Sequence, residues 1–250
     1  MRVLLLDIET APHTAYVWGL FDKFIPLDRV IESGYTLCWA AKWLGDREIF
    51  FDSVEESGEV GMLIKIHALL EEADVVVHYN GTRFDIPTLN KEFLQNGILP
   101  PSPYKQVDLL KTARQQFRFA SNKLDYVAQF LGFEGKKKHK GFKLWVDCME
   151  GDPKSWRMMK SYNKQDVRLL EQVYKKLLPW IKNHPNAGVY KFSERPLCPT
   201  CGSSRVQYRG VAVTKTCEYD RRHCQACGTW SRSVSNNRDP VMRKRLLVKE

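Results

Sequence analysis

The sequence predicts an α/β domain with a mixed sheet, followed by a small β unit. Strand-like segments dominate the first 80 residues, segments with helical spacing follow them, and four cysteines form two pairs near the C-terminus. Strands followed by interleaved helices are typical of an α/β domain with a mixed sheet. We predict the main domain over residues 1–182, a linker over 183–196, the small β unit over 197–235 and a basic tail over 236–250.

The predicted strands are apolar runs bounded by charged or turn residues. Val3–Glu9 is a mainly apolar run that ends in charge, which suits a buried strand with an exposed C-terminal end. Tyr35–Leu44 and Glu48–Phe51 are predicted as partner strands because a turn-like sequence at Gly45 separates them. Val75–Tyr79 is predicted as a further strand of the same sheet.

The predicted helices follow from apolar spacing and from proline and glycine signals. Apolar residues over 63–70 recur at helical intervals. Pro87 near the start and Gly97 at the end predict a second helix. A third helix is predicted from Leu124 to a stop at Gly132, and a long fourth helix is predicted to end near Ile181.

Charge is unevenly distributed along the 250 residues, whose net charge is +10 and whose pI is near 9.2. Residues 190–250 hold 13 basic and 5 acidic side chains, which leaves 26 and 24 on the rest of the chain. This asymmetry indicates a polyanionic partner, with a merely solvated cationic surface as the alternative. No apolar run reaches the roughly 18 residues of a membrane helix, and the N-terminal run is too short for a signal peptide. We therefore expect a cytoplasmic protein with reduced thiols.

Carboxylates occur on three of the predicted elements: at the end of a strand, at the start of a helix and within the long last helix. Asp7 and Glu9 close the first strand, and the two-residue period of a strand directs both to one face of the sheet. Asp85 opens a helix, and Asp166 lies one helical turn after Tyr162. Buried like charges need a cation, and Mg²⁺ prefers oxygen ligands. Taken singly, these elements also fit a salt bridge, a helix cap or ordinary surface residues.

In order and spacing, the three elements resemble the exonuclease motifs of the DEDD superfamily, tyrosine subgroup. The resemblance is strongest to the exonuclease domain of B-family DNA polymerases and its free-standing relatives, which have a ribonuclease H-like fold, and it covers roughly residues 1–182. The motifs are Asp-x-Glu, Asn followed within a few residues by Phe/Tyr-Asp, and Tyr-x-x-x-Asp. The residues that match them are Asp7, Glu9, Asn80, Phe84, Asp85, Tyr162 and Asp166.

The resemblance implies a metal-dependent 3′→5′ exonuclease that releases nucleoside 5′-monophosphates through two Mg²⁺ or Mn²⁺ ions about 4 Å apart. It assigns Asp7 to both ions, and Glu9 and Asp166 to the ion that activates water. Asp85 supports the second ion, which stabilises the leaving 3′ oxygen, and Tyr162 orients the attacking water.

The same resemblance implies contacts with the substrate. Thr10 is expected to contact the terminal nucleotide, while Asn80 and Phe84 line its pocket. Single-stranded DNA is the expected substrate, and a phage or bacterial gene of DNA replication or repair is the expected source. RNA 3′-end processing, a structure-specific endonuclease and a non-catalytic nucleic-acid-binding adaptor are the alternatives.

The C-terminal cysteines form two Cys-x-x-Cys-Gly patterns separated by 22 residues, namely Cys198, Cys201, Cys224 and Cys227. Each pattern is a zinc knuckle, and two knuckles supply the tetrahedral four-sulfur site that Zn²⁺ prefers. With strand-like segments between them, they predict a zinc ribbon with one structural Zn²⁺. Cys217 and His223 lack the knuckle spacing and are left out of the ligand set, and Cys38 and Cys148 are predicted to be buried thiols.

Two basic regions have a predicted binding role. Lys136–Lys140 is expected to form a loop that grips phosphates or is simply solvated. The zinc ribbon mixes cations and aromatic residues as nucleic-acid binders do, and docking to a replication or repair protein is the alternative. Its residues of these types are Arg205, Tyr208, Arg209, Tyr219, Arg221, Arg222, Trp230 and Arg232.

Overall fold

A five-stranded mixed sheet forms the centre of the first part of the chain in the computed structural model, which describes residues 1–21, 24–135 and 140–248. Its strand order is β5-β4-β1-β6-β7. Strand β4 runs antiparallel to both β5 and β1, whereas β1, β6 and β7 run parallel to one another. A short β2-β3 pair is separate from this sheet. The strands are β1 (Val3–Thr10), β2 (Thr14–Ala15), β3 (Val30–Glu32), β4 (Thr36–Trp43), β5 (Phe50–Ser53), β6 (Val75–His78) and β7 (Lys105–Asp108).

Six helices accompany these strands within the described residues of the first part of the chain. The N-terminus of α1 is capped by Ser53, whose hydroxyl accepts the N–H of Glu56, and α1 is interrupted at Gly58, where φ is 68°. Gly97 and Gly132, with φ of 69° and 82°, follow the ends of α2 and α4, as their sequence positions predict. The helices are α1 (Val54–Glu71), α2 (Asp85–Gln95), α3 (Leu109–Gln116), α4 (Leu124–Phe130), α5 (Lys143–Met149) and α6 (Pro153–Leu177).

The two faces of the central strand β1 have different environments. Leu4, Leu6 and Ile8 belong to an apolar cluster that includes residues of α1 and α2. Asp7 and Glu9 alternate with them and therefore point to the opposite face. On that face a second cluster joins β4 to α5 and α6 through residues such as Cys38 and Met159.

Helix α6 is fixed to the sheet by a buried ion pair as well as by apolar contacts. Lys42 of β4 lies opposite Leu5 of β1, on the same face as Asp7, and its ammonium pairs with the carboxylate of Glu171 of α6. The second oxygen of Glu171 accepts the N–H of Gly45 at 3.3 Å. This pair holds α6 along the face of the sheet that carries the carboxylates.

The C-terminal part of the chain contains a three-stranded antiparallel sheet of order β10-β9-β8. Its strands are β8 (Val206–Val213), β9 (Glu218–Cys224) and β10 (Trp230–Arg232), and helix α7 spans Pro240–Lys244. The segments 206–208 and 211–213 form one strand, because the register shifts between Tyr208 and Val211, where Gly210 has φ of 80°.

The chain divides into two compact units, Arg2–Lys175 and Lys176–Glu250. The predicted limits of the linker and the tail stay predictions, although residues 187–190 form a turn of 3₁₀-helix. Four residues of the predicted basic loop, 136–139, lie outside the described part of the chain. Within that part, no helix combines the length and the apolarity needed to cross a membrane.

The mixed sheet flanked by helices confirms the predicted fold class. The long last helix of the first unit ends at Leu177, earlier than expected, and a 3₁₀ turn over residues 178–180 replaces its predicted end. Pro179 explains this difference, since its ring excludes a regular helical hydrogen bond. Strand β7 and helices α3 and α5, with four to eight residues each, are too short to give a clear periodic pattern.

Candidate metal centre and nucleotide cleft

Three carboxylates meet where β1 ends beneath α6. Asp7 and Glu9 come from β1, and Asp166, which is fully buried, comes from α6. Oxygen atoms from the three side chains all lie within 4.8 Å of one another. Like charges this close repel each other strongly, so the ionised cluster fits a divalent cation with hard oxygen ligands.

Asp85 lies next to this cluster but is not one of its three members. It is the first residue of α2 and is buried, and its Oδ1 accepts the N–H of Ile8 at 3.1 Å. Ile8 separates Asp7 from Glu9, so this hydrogen bond holds the carboxylate of Asp85 beside the acidic end of β1. The fold therefore brings the four acidic residues of the three motifs into one region.

Asn163 is a polar contact of the cluster that sequence reasoning missed. Its carboxamide is fully buried, and Nδ2 donates to Oδ2 of Asp7 at 2.7 Å. Asn163 precedes Asp166 by three residues on α6, so both side chains face the sheet. The signal was present in the third motif, where Asn follows Tyr162, but an Asn in a helix has many other uses.

Cys38 lies beneath the carboxylates on the neighbouring strand. It is directly opposite Glu9 in the β1-β4 register, and its Sγ is 4.0 Å from Oδ1 of Asn163. Burial, together with the negative charges of Glu9 and Asp7, raises the pKa of this thiol well above its usual value. Cys38 therefore remains a neutral, buried thiol, as its sequence context predicts.

The turn that leads to Asp85 is held by buried polar contacts. His78 accepts the N–H of Gly81 at Nδ1, and its Nε2 lies 3.1 Å from Oε1 of Gln106. Burial lowers the pKa of His78, so the neutral ring with its proton on Nε2 fits both contacts. A Cβ on Gly81 would lie 2.4 Å from Cγ of His78, which explains why this turn needs glycine.

Asn80, Phe84 and Thr10, which the resemblance assigns to substrate contacts, lie at the edges of this region. Asn80 has a positive φ of 73°, and its N–H donates to Oδ1 of Asp108 at 3.0 Å. Phe84 precedes α2 with 43% of its surface exposed. Thr10 is partly exposed and follows a register shift at the end of β1.

Tyr162 lies one turn before Asp166 on α6. Its ring is almost fully buried and makes an edge-to-face contact with Trp145, with the ring centroids 6.1 Å apart. This contact restricts the ring, so that the direction of the hydroxyl is set by the packing of α5 on α6.

A cleft of about 580 Å³ opens from Asp7 towards α3 and α4. Its lining includes Arg114 and Lys123, together with Tyr79 and Asn122. Tyr79 donates its hydroxyl to the backbone oxygen of Asn122, and burial raises the pKa of Tyr79 to about 12. Oδ1 of Asn122 is buried and accepts no hydrogen bond from the described residues. This cleft, which sequence reasoning missed, has the volume of a small-ligand site and joins two cations to the carboxylate cluster.

The four predicted zinc ligands form a separate cluster in the second unit. Sγ of Cys198 lies 3.6 Å from that of Cys227, and Sγ of Cys201 lies 3.7 Å from that of Cys224. A disulfide needs a separation of about 2.0 Å. Tetrahedral ligands with Zn–S bonds of about 2.3 Å lie about 3.8 Å apart, so the sulfur spacing fits a four-thiolate ion site.

The two knuckles have the same backbone geometry. Gly202 and Gly228, which follow the second cysteine of each pair, have φ of 68° and 79°. Each donates its N–H to the carbonyl of the first cysteine, at 2.9 and 3.0 Å. Cys217 and His223 lie outside the cluster, since Cys217 contacts Arg243 and the ring of His223 lies against that of Trp230.

A mixed sheet whose central strand carries clustered carboxylates beneath a helix defines a nuclease of the ribonuclease H-like class. The family model of the RNase_H superfamily matches residues 4–178, and the chain belongs to this superfamily. This confirms the fold that the three motifs predict.

Among solved structures, the chain is similar to the family B DNA polymerase of the hyperthermophilic archaeon Pyrobaculum calidifontis. The match has a TM-score of 0.55 and 21% sequence identity, and it covers 71% of this chain. It spans only 24% of the polymerase, and at this identity it shows a shared fold. No curated protein matches the chain.

Proposed function

We propose that the chain is a metal-dependent 3′→5′ exonuclease that hydrolyses terminal phosphodiester bonds of single-stranded DNA and releases nucleoside 5′-monophosphates. The observation that carries the proposal is the meeting of Asp7, Glu9 and Asp166 within 4.8 Å. Membership of the RNase_H superfamily supports phosphodiester hydrolysis, and the similarity to a DNA polymerase favours DNA as the substrate.

Asp7, Glu9 and Asp166 would hold one divalent ion, Mg²⁺ or Mn²⁺, and Asp7 and Asp85 would hold a second. When bound, such ions supply positive charge to the scissile phosphate and to the attacking water. Asn163 orients Asp7 by donating to its Oδ2, and the N–H of Ile8 orients Asp85 in the same way. These contacts keep the carboxylates in position before substrate arrives.

Tyr162 has a positioning role in this proposal. Its hydroxyl would orient the attacking water in line with the bond to the leaving 3′ oxygen. The buried contact between its ring and Trp145 supports this role, because a restricted ring loses little freedom when the water is held.

The cleft beside Asp7 is the proposed site of the terminal nucleotides. Arg114 and Lys123 would bind their phosphates through charge-assisted hydrogen bonds. The buried Oδ1 of Asn122 offers an acceptor to a sugar hydroxyl or a base amine.

The motif residues at the edges of the site are proposed as further substrate contacts. Phe84 offers an exposed ring on which a base can stack. Thr10 and Asn80 are proposed to contact the same terminal nucleotide from the ends of β1 and β6.

We also propose that the four-cysteine cluster holds one structural Zn²⁺. Four thiolates complete a tetrahedral shell and leave no position for water, which is the pattern of structural sites. The sulfur spacing of 3.6–3.7 Å supports this assignment.

The test uses 5′-labelled single-stranded DNA and RNA of the same sequence, incubated with the full chain in Mg²⁺, in Mn²⁺ or without either ion. We expect a ladder that shortens from the 3′ end of the DNA only when a divalent ion is present. Asp7→Asn is expected to lower the rate by at least about 1,000-fold, because it removes a charge on which both ions depend. Asp46→Asn, at an exposed turn residue, is the matched control and should retain full activity.

The outcomes separate the candidate functions. A faster ladder on RNA would assign the chain to RNA 3′-end processing instead. Internal cuts would identify an endonuclease. Binding without any cleavage, unchanged by added Mg²⁺ or Mn²⁺, would make the chain a nucleic-acid-binding adaptor and end the exonuclease proposal.

A further inference from the structure

One face of the sheet in the second unit carries only cationic, aromatic and uncharged side chains. Trp230 lies directly opposite His223 in the β9-β10 register, and Arg232 lies opposite Arg221, so each pair shares a face. Tyr219 precedes Arg221 by two residues and therefore lies on the face of Arg221. We name the surface formed by these five residues the cationic face.

The acidic residues of strand β9 lie on the opposite face. Glu218 and Asp220 alternate with the residues of the cationic face, and each is paired there with an arginine. Asp220 pairs with Arg222 at 2.8 Å, and Glu218 lies 3.9 Å from Arg238. Within the described ranges, neither arginine of the cationic face has a carboxylate partner. The carboxylates of β9 thus lie on the face opposite the cationic face, where they neutralise arginines. Among the described residues, the arginines of the cationic face keep an unpaired charge.

The arginines of the cationic face are stacked on its aromatic rings. Cζ of Arg232 lies 3.9 Å from the ring centroid of Tyr219, and Cζ of Arg221 lies 5.6 Å from that of Trp230. Nε of Arg221 also donates to the backbone oxygen of Arg209. A guanidinium that is already held loses little entropy when it binds a phosphate. Trp230 itself has 56% of its surface exposed, which leaves ring surface for a base.

We propose that the cationic face is a second binding site for single-stranded DNA, distinct from the carboxylate cluster, with Arg221 and Arg232 on phosphates and Trp230 stacked on a base. The 13 basic and 5 acidic residues over 190–250 favour a polyanion as the partner. This inference deepens the proposed function and rests on it, because single-stranded DNA is chosen here as the substrate of the proposed exonuclease. A site tethered to the nuclease keeps the strand at high local concentration between successive cleavages.

The test measures binding without turnover. The full chain with Asp7→Asn, zinc retained and no Mg²⁺ or Mn²⁺ added, is titrated into a fluorescein-labelled oligothymidylate of about 20 nucleotides. We compare Arg221→Gln/Arg232→Gln with the control Arg195→Gln/Lys215→Gln, which removes the same charge at exposed residues outside the strands of this sheet. We expect the first pair to weaken binding about tenfold or more and to lower the slope of log Kd against log salt by about 1.4. The control should change the affinity by less than about threefold.

Trp230→Ala tests the stacking contact independently of charge. It is expected to weaken binding about tenfold with the salt slope unchanged. Every variant must retain one zinc per chain and the thermal transition of the parent protein. If folded Trp230→Ala and the arginine pair both bind like the control, the proposal is overturned, and the face is assigned to docking of a protein. Because the assay needs no hydrolysis, its result stands whether or not the chain proves to be an exonuclease.

Discussion

Asn163 and Asp166 reach the carboxylate cluster from one turn of α6, but they act differently. Asp166 adds a charge, whereas Asn163 donates a hydrogen bond that fixes Oδ2 of Asp7. A residue that orients a metal ligand affects metal affinity more than it affects the chemical step. Asn163 is therefore a positioning residue in the proposed exonuclease.

Asn163→Ala is predicted to raise the Mg²⁺ concentration needed for half-maximal activity by about 10- to 100-fold. Activity should recover largely at saturating Mg²⁺ or Mn²⁺, because the four carboxylates remain. The measurement is a metal titration of the initial rate. Asn90→Ala, at an exposed residue of α2, is the control. An unchanged metal requirement in a folded Asn163→Ala protein would contradict the positioning role.

At the scale of elements, the site depends on how α6 is held against β4. Lys42 and Glu171 are buried together at this contact, while Lys175 binds the other oxygen of Glu171 from the surface. Burial raises the pKa of Glu171, but hydrogen bonds from Lys175 and Lys42 outweigh it, and the pKa is lowered overall. The ionised form of Glu171 is therefore the one that stabilises the fold.

Glu171→Gln is predicted to lower the free energy of unfolding at pH 7 by about 3 kcal/mol, because the ammonium of Lys42 stays buried without its charge partner. Since the folded-state pKa of Glu171 is lowered, its contribution is fully present above the unfolded pKa of about 4.3 and is lost as pH falls through the folded value. Urea unfolding at neutral and acidic pH measures both effects, and the difference between the two proteins should shrink in acid.

Lys175→Gln serves as the comparison because it removes the exposed partner of the same carboxylate. We expect Lys175→Gln to lower the free energy of unfolding by less than about 1 kcal/mol. If Glu171→Gln and Lys175→Gln lowered the free energy of unfolding equally, the burial of Lys42 would not be the source of the stability that Glu171 contributes.

At the scale of the whole molecule, each compact unit has its own stabilising centre. The first unit buries two apolar clusters on the two faces of a five-stranded sheet. The second has a small sheet beside the four-sulfur cluster, in which Cys198 and Cys224 are buried and Cys201 and Cys227 are partly exposed. A unit this small would depend on the proposed Zn²⁺ for its stability, because a small apolar core alone is insufficient.

Cys201→Ser is predicted to abolish stoichiometric zinc binding and to unfold the second unit, with the thermal transition of the first unit retained. Elemental analysis and calorimetry measure the two effects. Cys217→Ser is the matched control, since Cys217 lies outside the cluster, and it should retain one zinc per chain. Loss of the transition of the first unit in Cys201→Ser would show that the first unit depends on the zinc site.

The sequence alone determined the features that depend on residues close together in the chain. The alternation along β1 predicted that Asp7 and Glu9 share a face, and the two knuckles predicted the four-cysteine cluster. Such patterns survive in the sequence because strand period and turn geometry are local. The order of the three acidic motifs then predicted the fold.

Only the tertiary structure decided which distant residues meet. Asn163 reaches Asp7 because α6 packs along β1, and Arg114 and Lys123 share a cleft with Asp7 because α3 and α4 lie beside that strand's acidic end. The separation of the acidic residues of β9 from Arg221 likewise depends on which face each residue takes in the paired strands. Contacts of this kind are set by register and helix packing, which depend on the whole core and leave no periodic signal near the residues concerned.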